Sequence, residues 1–286
     1  MSQDLEKLKD WIGNTETFED RASVLPVHGY AALLDKTDTP KEGDPIGPMG
    51  HWFFFKPVAP ASQIGPDGHP ARGGFMPPVP LPRRMFAGAR TTYHKDLIIG
   101  ERMRREACIT DVTIKEGRTG TLVFCTVKNE FHGESGLALE EEHDIVYRDN
   151  PPADAKGGNS GKTNTAPDDH TWIKEITPDP VMLFRYSAIT FNGHRIHYDR
   201  KYVTEVEGYP GLIVHGPLTA GLLLELALDN NPGQKLTGFR FQARAPLFDI
   251  APFKVAGKPG AEGGTAELWS VTPEGNLGTL ATATFE

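Results

Sequence analysis

The sequence predicts an α+β protein of two tandem halves, each an antiparallel β-sheet with helices, the second curled around one long buried helix. Three observations predict this. Residues 89–149 and 235–286 run in apolar–polar alternation broken by glycines and charged turns, the period of half-buried strands. Gly216–Asp229 (GPLTAGLLLELALD) is apolar nearly all round, as a helix without a solvent face should be. Phrases also recur at a fixed spacing: Gly88, Arg90 and Leu97 match Gly238, Arg240 and Leu247, each pair 150 residues apart.

In chain order, residues 3–12 place Leu5, Leu8 and Ile12 on one face of a short helix, and Pro26–Leu34 reads as a second helix. Lys36–Met49 is turn-rich, and His51–Phe55 (HWFFF) reads as a short buried strand. Lys56–Arg84 holds eight prolines and four glycines, so it is neither helix nor central strand. A loop of that length is expected to cover or serve a site. The runs ARTTYHKDLIIG, ERMRREACITDVTIKEG, GTLVFCTVKNEFHG and GLALEEEHDIVYRD then read as an antiparallel meander. Residues 150–169 (NPPADAKGGNSGKTNTAPDD) are poor in apolar residues and read as a linker. Beyond it come a strand at Thr171–Thr177, an Asp179-Pro180 helix start opening Val181–Ile189, the Gly216–Asp229 helix and three or four closing strands.

Composition excludes several classes. Hydrophobic residues make up 38% of the 286, and the mean hydropathy is −0.39, so a soluble globular chain is expected. No apolar run reaches spanning length. The start MSQDLEKLKDW lacks an apolar core and carries acids, unlike a secretory or transit leader, which points to the cytoplasm. Cys108 and Cys125 sit in strand-like runs and are expected to be reduced. A net charge of −8 argues against nucleic-acid binding.

A sheet curled around a helix is the hot-dog shape, and its duplication predicts a double hot-dog: 1–149 a non-catalytic half whose central helix is replaced by the Pro-rich loop, 170–286 the catalytic half. The two would pair within one chain as a pseudo-dimer, and a homodimer of such chains is compatible with the sequence. Thr190–Pro217 is the site-shaped stretch. It gathers His194, His197, His215, Asn192 and Asp199 in turns that run into the N-terminus of the long helix, where backbone N–H groups are free.

The run Phe191-Asn192-Gly193-His194-Arg195-Ile196-His197-Tyr198-Asp199, with Val214-His215-Gly216-Pro217, resembles the MaoC-like, hydratase-2 hot-dog enzymes. Their motif is an Asp, four residues and a His, then a His-Gly opening the central helix. Asn192 stands where the motif has Asp, and His194 where it has Asn. PPVPLPRRMFAG and EGRTGTLVF are similar to the hydroxyacyl-thioester dehydratase type 2 branch, which includes the 3-methylfumaryl-CoA (mesaconyl-CoA) hydratases.

The resemblance implies reversible addition of water to an enoyl-CoA thioester, a short branched dicarboxylic one of the mesaconyl-to-citramalyl type. CoA would be part of the substrate, with no separate cofactor and no metal. His197 is the expected acid/base, and the Gly216 N–H, at the positive end of the helix dipole, the donor to the thioester oxygen. Asn192 has no titratable proton and is expected to hold water or substrate. His194 either supplies a second titratable group or is a structural hydrogen bonder. Asp199 either orients a histidine or caps backbone, and His215 either lines the pocket or buttresses the loop. Arg90, Arg185 and Arg240 are candidate substrate-binding residues for a carboxylate or the CoA phosphates, with Arg83, Arg84, Arg195 and Arg244 as competitors. The alternatives are an acyl-carrier-protein dehydratase, a hydrolase with a metal on His194, His197 and His215, and a non-catalytic thioester-binding module.

Overall fold

The computed structural model describes residues 5–37, 39–56, 58–70, 74–117, 120–149 and 164–286. The first half contributes β1 (Thr15–Arg21), α1 (Val24–Leu33), β2 (Arg83–Tyr93), β3 (Arg102–Gly117), β4 (Gly120–Gly133) and β5 (Gly136–Arg148). The second contributes β6 (Trp172–Ile176), α2 (Pro180–Thr190), α3 (Gly216–Asp229), β7 (Leu236–Ala243), β8 (Phe253–Pro259), β9 (Thr265–Val271) and β10 (Leu277–Phe285). All ten strands join one sheet in the order β1-β3-β4-β5-β2-β7-β10-β9-β8-β6.

The junction of the halves is the antiparallel pair β2–β7. Arg90 faces Arg240, while Gly88 faces Gln242 and Thr92 faces Gly238. The repeat equates 90 with 240, so equivalent residues meet at the centre and exchange on either side. A two-fold axis through an isologous contact produces this register. Gly88 is needed there, because a Cβ on it would lie 2.2 Å from the Phe241 carbonyl oxygen.

α3 lies against β7–β10, and nine of its residues are buried, Leu218, Leu222, Leu223, Leu224 and Leu226 among them. Each such leucine contributes about 1.5–3 kcal/mol. Tyr30 of α1 packs so close to this helix that a Cβ on Gly221 would lie 2.2 Å from its hydroxyl oxygen. α2 begins where Asp179 accepts from Met182 N at 2.7 Å, with Pro180 in its first turn.

Four expectations are corrected. His51–Phe55 is no strand: Gly50–Phe53 is a 3-10 turn, and Phe53, Phe54 and Phe55 are all buried. A strand would have sent alternate rings to opposite faces. The turn is anchored on buried Glu141, which accepts hydrogen bonds from Trp52 Nε1 and Thr91 Oγ1 and pairs with His51 and His143. Thr15–Arg21 (TETFEDR), which reads as no element, is the edge strand β1 on β3. Lys7–Trp11 is a 3-10 helix, shorter than the helix expected over 3–12. Only β3–β4–β5 form a meander, because β2 lies beside β5 and meets the other half.

Of the expected linker, 150–163 lies outside the described residues, and the remainder is docked: Ala166 N donates to Gly275 O and Trp269 Nε1 to Pro167 O. Cys108 and Cys125 are free thiols, Cys125 buried and Cys108 half-buried. No described helix is long and apolar enough to cross a membrane.

Candidate active site

α2 ends because Phe191 adopts a left-handed conformation (φ 53°), with Asn192 N donating back to Ser187 O at 2.8 Å. A phenylalanine there is strained by on the order of 1 kcal/mol, and such strain gathers at functional sites. Asn192 then turns inward on its own backbone: its Oδ1 accepts from His194 N at 3.0 Å. The expected water-holding carbonyl is thus engaged in a turn.

Arg195–His197 is a single 3-10 turn that presents His197 to the core, 7% exposed. Its Nδ1 donates to Ile213 O at 2.7 Å, while Ile213 N donates to Ile196 O. This fixes the tautomer and leaves Nε2 with a lone pair. The Ile213 stretch is itself pinned, since Asp249 Oδ1 accepts from Leu212 N at 2.8 Å and Val214 N donates to Leu247 O.

His215, 1% exposed, caps α3, and its ring stacks on His197 at 3.7 Å. Its Nε2 pairs with Ser187 Oγ at 2.9 Å, and its Nδ1 is buried without a partner among the described residues. His194 lies edge-on to His197 at 5.5 Å. Burial holds all three neutral. It pushes His197 down to about 4, against the Ile213 hydrogen bond. It pushes His194 down to about 2, helped by the His69 and His197 charges, and His215 well below the ordinary imidazole value. Gly216 opens α3 beside this stack, and beyond its chain neighbours and its own helix backbone nothing lies within 4 Å of where its Cβ would be. The Gly216 N–H, at the first helical position, has no intrahelical acceptor.

The arginines divide differently from expectation. Arg90 and Arg240 alternate with buried Ala89, Phe239 and Phe241, so they project from the outer face, away from the helices and histidines. Arg90 is also held by Glu142 and Asp144. Arg185 is on the exposed side of α2, opposite buried Leu183, Tyr186 and Ser187. Asp199 orients no histidine; it accepts from Tyr202 N and from Arg195 Nε and Nη2. Arg195 is engaged there and on Pro66 O.

Two residues that sequence reasoning passed over, Asp67 and His69, lie here. His69, from the Pro-rich loop, packs its ring against that of His194, centroids 4.1 Å apart and tilted by 43°, and pairs through Nδ1 with Asp67 Oδ2 at 3.0 Å. Their one signal is Gly65-Pro66-Asp67-Gly68-His69-Pro70, a turn with two titratable side chains inside a loop already long enough to be functional. Asp67, His69 and His194 offer ligand atoms within 4.8 Å of one another, a spacing a cation could bridge; His194, His197 and His215 form no such group. Arg84, which the sequence offered only as one of several competing arginines, lies here as well. The β-bulge between Phe86 and Gly88 resets the alternation, so Arg84 sits opposite buried Tyr147 on the inner face, where its charge lowers His194. It makes no hydrogen bond or ion pair among the described residues.

Comparison with known proteins agrees with this picture. The family model for hydroxyacyl-thioester dehydratase type 2 matches residues 48–249. The chain is 46% identical over 273 residues to a mesaconyl-C(4)-CoA hydratase of Chloroflexus aurantiacus, covering 95% of each chain. It is 25% identical over 235 residues to a mitochondrial hydroxyacyl-thioester dehydratase type 2 of Schizosaccharomyces pombe, covering 73% of this chain and 77% of the relative. Among solved structures, a MaoC-like dehydratase from Phytophthora capsici superposes with a TM-score of 0.71 at 14% identity, over 99% of this chain and 97% of the other. A Mycobacterium tuberculosis protein described as having a double hot-dog fold gives 0.52 at 12% identity, over 98% of each. With a duplicated sheet, a helix-opening His-Gly and a buried imidazole beside it, the chain is a double hot-dog and belongs to the hydroxyacyl-thioester dehydratase type 2 family.

Proposed function

We propose that this protein is a hydro-lyase that adds water reversibly to the double bond of an enoyl-CoA thioester, with a short branched dicarboxylic acyl group preferred. The observation that carries the reading is the free Nε2 of buried His197, whose ring stacks on His215 at the N-terminus of α3. Hydration needs a base for the attacking water and a donor for the charge that develops on the thioester oxygen. His197, neutral because it is buried and with Nδ1 tied to Ile213, offers Nε2 as the base. The Gly216 N–H, at the positive end of the helix dipole, offers the donor. Neither role calls for a cofactor beyond the CoA of the substrate, and such thioesters are met in the cytoplasm.

Arg84 is the residue we assign to a distal carboxylate. It is cationic, on the inner face and without a partner among the described residues, and a guanidinium binds a carboxylate through two parallel hydrogen bonds. The name of the Chloroflexus relative supports a dicarboxylic substrate; that of the yeast relative supports plain hydroxyacyl thioesters.

The test is a panel of enoyl thioesters of CoA and of acyl carrier protein, with and without a distal carboxylate, followed by loss of the conjugated enoyl absorbance. Hydration of CoA thioesters is expected, fastest with the carboxylate, and Arg84→Met should erase that preference. His197→Ala should lower kcat by on the order of 10²–10⁴ while saturated acyl-CoA still binds. A protein that binds acyl-CoA but hydrates none of the panel would be a binding module instead.

A further inference from the structure

Asn192 has no titratable proton, so it leaves room for a second proton-handling group from outside the motif. The first half brings one to the site. Its loop at residues 65–70 is fastened to the histidine segment, with Arg195 N donating to Asp67 O and Arg195 Nη1 to Pro66 O, both at 2.9 Å. The turn is closed internally by Gly65 N to His69 O (2.7 Å) and His69 N to Asp67 Oδ1 (3.0 Å). At Gly68 the two backbones nearly touch: φ is +91°, and a Cβ would lie 1.9 Å from Gly193 O. His69 is therefore held by backbone geometry against His194, 31% exposed, with Asp67 on its Nδ1 and its Nε2 left over.

We propose that His69, oriented by Asp67, is a second catalytic residue, donating to the substrate α-carbon the proton that Asn192 cannot supply. This rests on the hydratase reading above. In hydration the water oxygen bonds to the β-carbon and its proton passes to His197 Nε2. The alkene π pair shifts toward the thioester, and the resulting enolate takes the Nε2 proton of imidazolium His69 at its α-carbon. One water has then been added; His197 carries an extra proton and His69 lacks one. Transfer through His194, whose ring neighbours both, restores the starting state. The hydrogen bond from His69 holds Asp67 well below the usual carboxylate range, so Asp67 stays an anion beside the imidazolium. The charged and titratable groups facing His69 are Asp67 on its own loop, His194 and His197 on the histidine segment, and Arg84 at the start of β2, which acts through His194. Arg195 and Tyr202 adjoin Asp67.

The experiment is the pH dependence of kcat for hydration by the full chain and by His69→Gln, Asp67→Asn, Gly68→Ala and His197→Ala, with acyl-CoA binding by calorimetry and metal content by elemental analysis. His69→Gln should lower kcat on the order of 10²–10⁴-fold, leave KM little changed and remove the alkaline limb, which reports loss of the His69 proton. Asp67→Asn should move that limb to lower pH, because the imidazolium loses its counter-charge. Gly68→Ala should lower kcat with the His69 ring chemically intact. A His69→Gln enzyme with the wild-type profile, while His197→Ala is inactive, overturns the inference and leaves the hydratase reading standing. A fall in kcat without loss of the limb makes His69 a positioning residue and also overturns it. Stoichiometric metal that disappears with His69 overturns it too, since a ligated imidazole nitrogen has no proton to give. A wild-type chain that hydrates nothing ends both readings.

Discussion

Residue 216 is where a single methyl group separates folding from function. Beyond its chain neighbours and its own helix backbone, nothing lies within 4 Å of the Cβ position, and the glycine is not in the left-handed region. Gly216→Ala is therefore expected to melt at or slightly above the wild-type temperature, since alanine reduces the freedom of the unfolded chain. On the proposed hydratase reading the methyl group would crowd the thioester oxygen, so kcat/KM should fall on the order of tenfold, about 1.4 kcal/mol. Thermal melting and steady-state rates on one preparation check both halves of this. His197 and Gly216 were legible in sequence as candidates because the motif that holds them resembles that of a known family. The arginines were not. Whether Arg84 or Arg90 faces inward depends on one extra residue in β2, and the bulge that inverts the alternation has no signature in ARTTYHKDLIIG or the residues before it.

At the scale of elements, the short ladder between 211–214 and 247–249 decides how well the base is aimed. The Asp249 carboxylate is buried, receives Leu212 N and pairs with Arg200. Asp249→Ala strands that N–H, and a loss of about 1–3 kcal/mol of stability is expected in urea unfolding. Because Ile213 holds His197 Nδ1, kcat should fall with KM little affected, a split that simple destabilisation would not produce. α2 and α3 could be placed from sequence because Asp179-Pro180 and His215-Gly216-Pro217 are local start signals, and the apolar run of α3 has one period. β1 could not: TETFEDR has no apolar alternation, and its charges suit an exposed sheet edge, where pairing with β3 makes the strand. His51–Phe55 failed for the opposite reason. A run of five apolar and aromatic residues fits a buried strand or a buried turn equally well, and the turn prevailed because Glu141 holds its indole and imidazole.

Over the whole molecule, the buried neutral histidines make stability depend on pH. His197 is held near 4 and His194 near 2, both below the unfolded imidazole value of 6.5, and His215 is depressed in the same sense. Below pH 6.5 the unfolded chain takes up protons that the folded one refuses, so stability is full above that pH and declines as pH falls toward 4. Buried Glu141 adds to the trend at still lower pH: burial alone would raise it, but the His143 and His51 imidazoles outweigh that and hold it well below the carboxylate range. For His197 alone the decline is on the order of 3 kcal/mol, at about 1.4 kcal/mol per pH unit. Urea midpoints between pH 7.5 and about 4.5 should fall monotonically, and His197→Gln should flatten the curve.

The sequence by itself determined the class and the duplication, and singled out His197 as the proposed base. Periodicity, start signals and motif spacing are local properties, and a repeat at constant offset supplies two like halves that a two-fold contact can pair. Arg90 opposite Arg240 is that pairing made visible. Only the tertiary structure decided what surrounds the base. His69 and His197 are more than a hundred residues apart, and what joins them is a backbone contact at Gly68 and Gly193 too close for any side chain. Long-range approach of this kind depends on how two surfaces fit, and no local pattern of residue types encodes it.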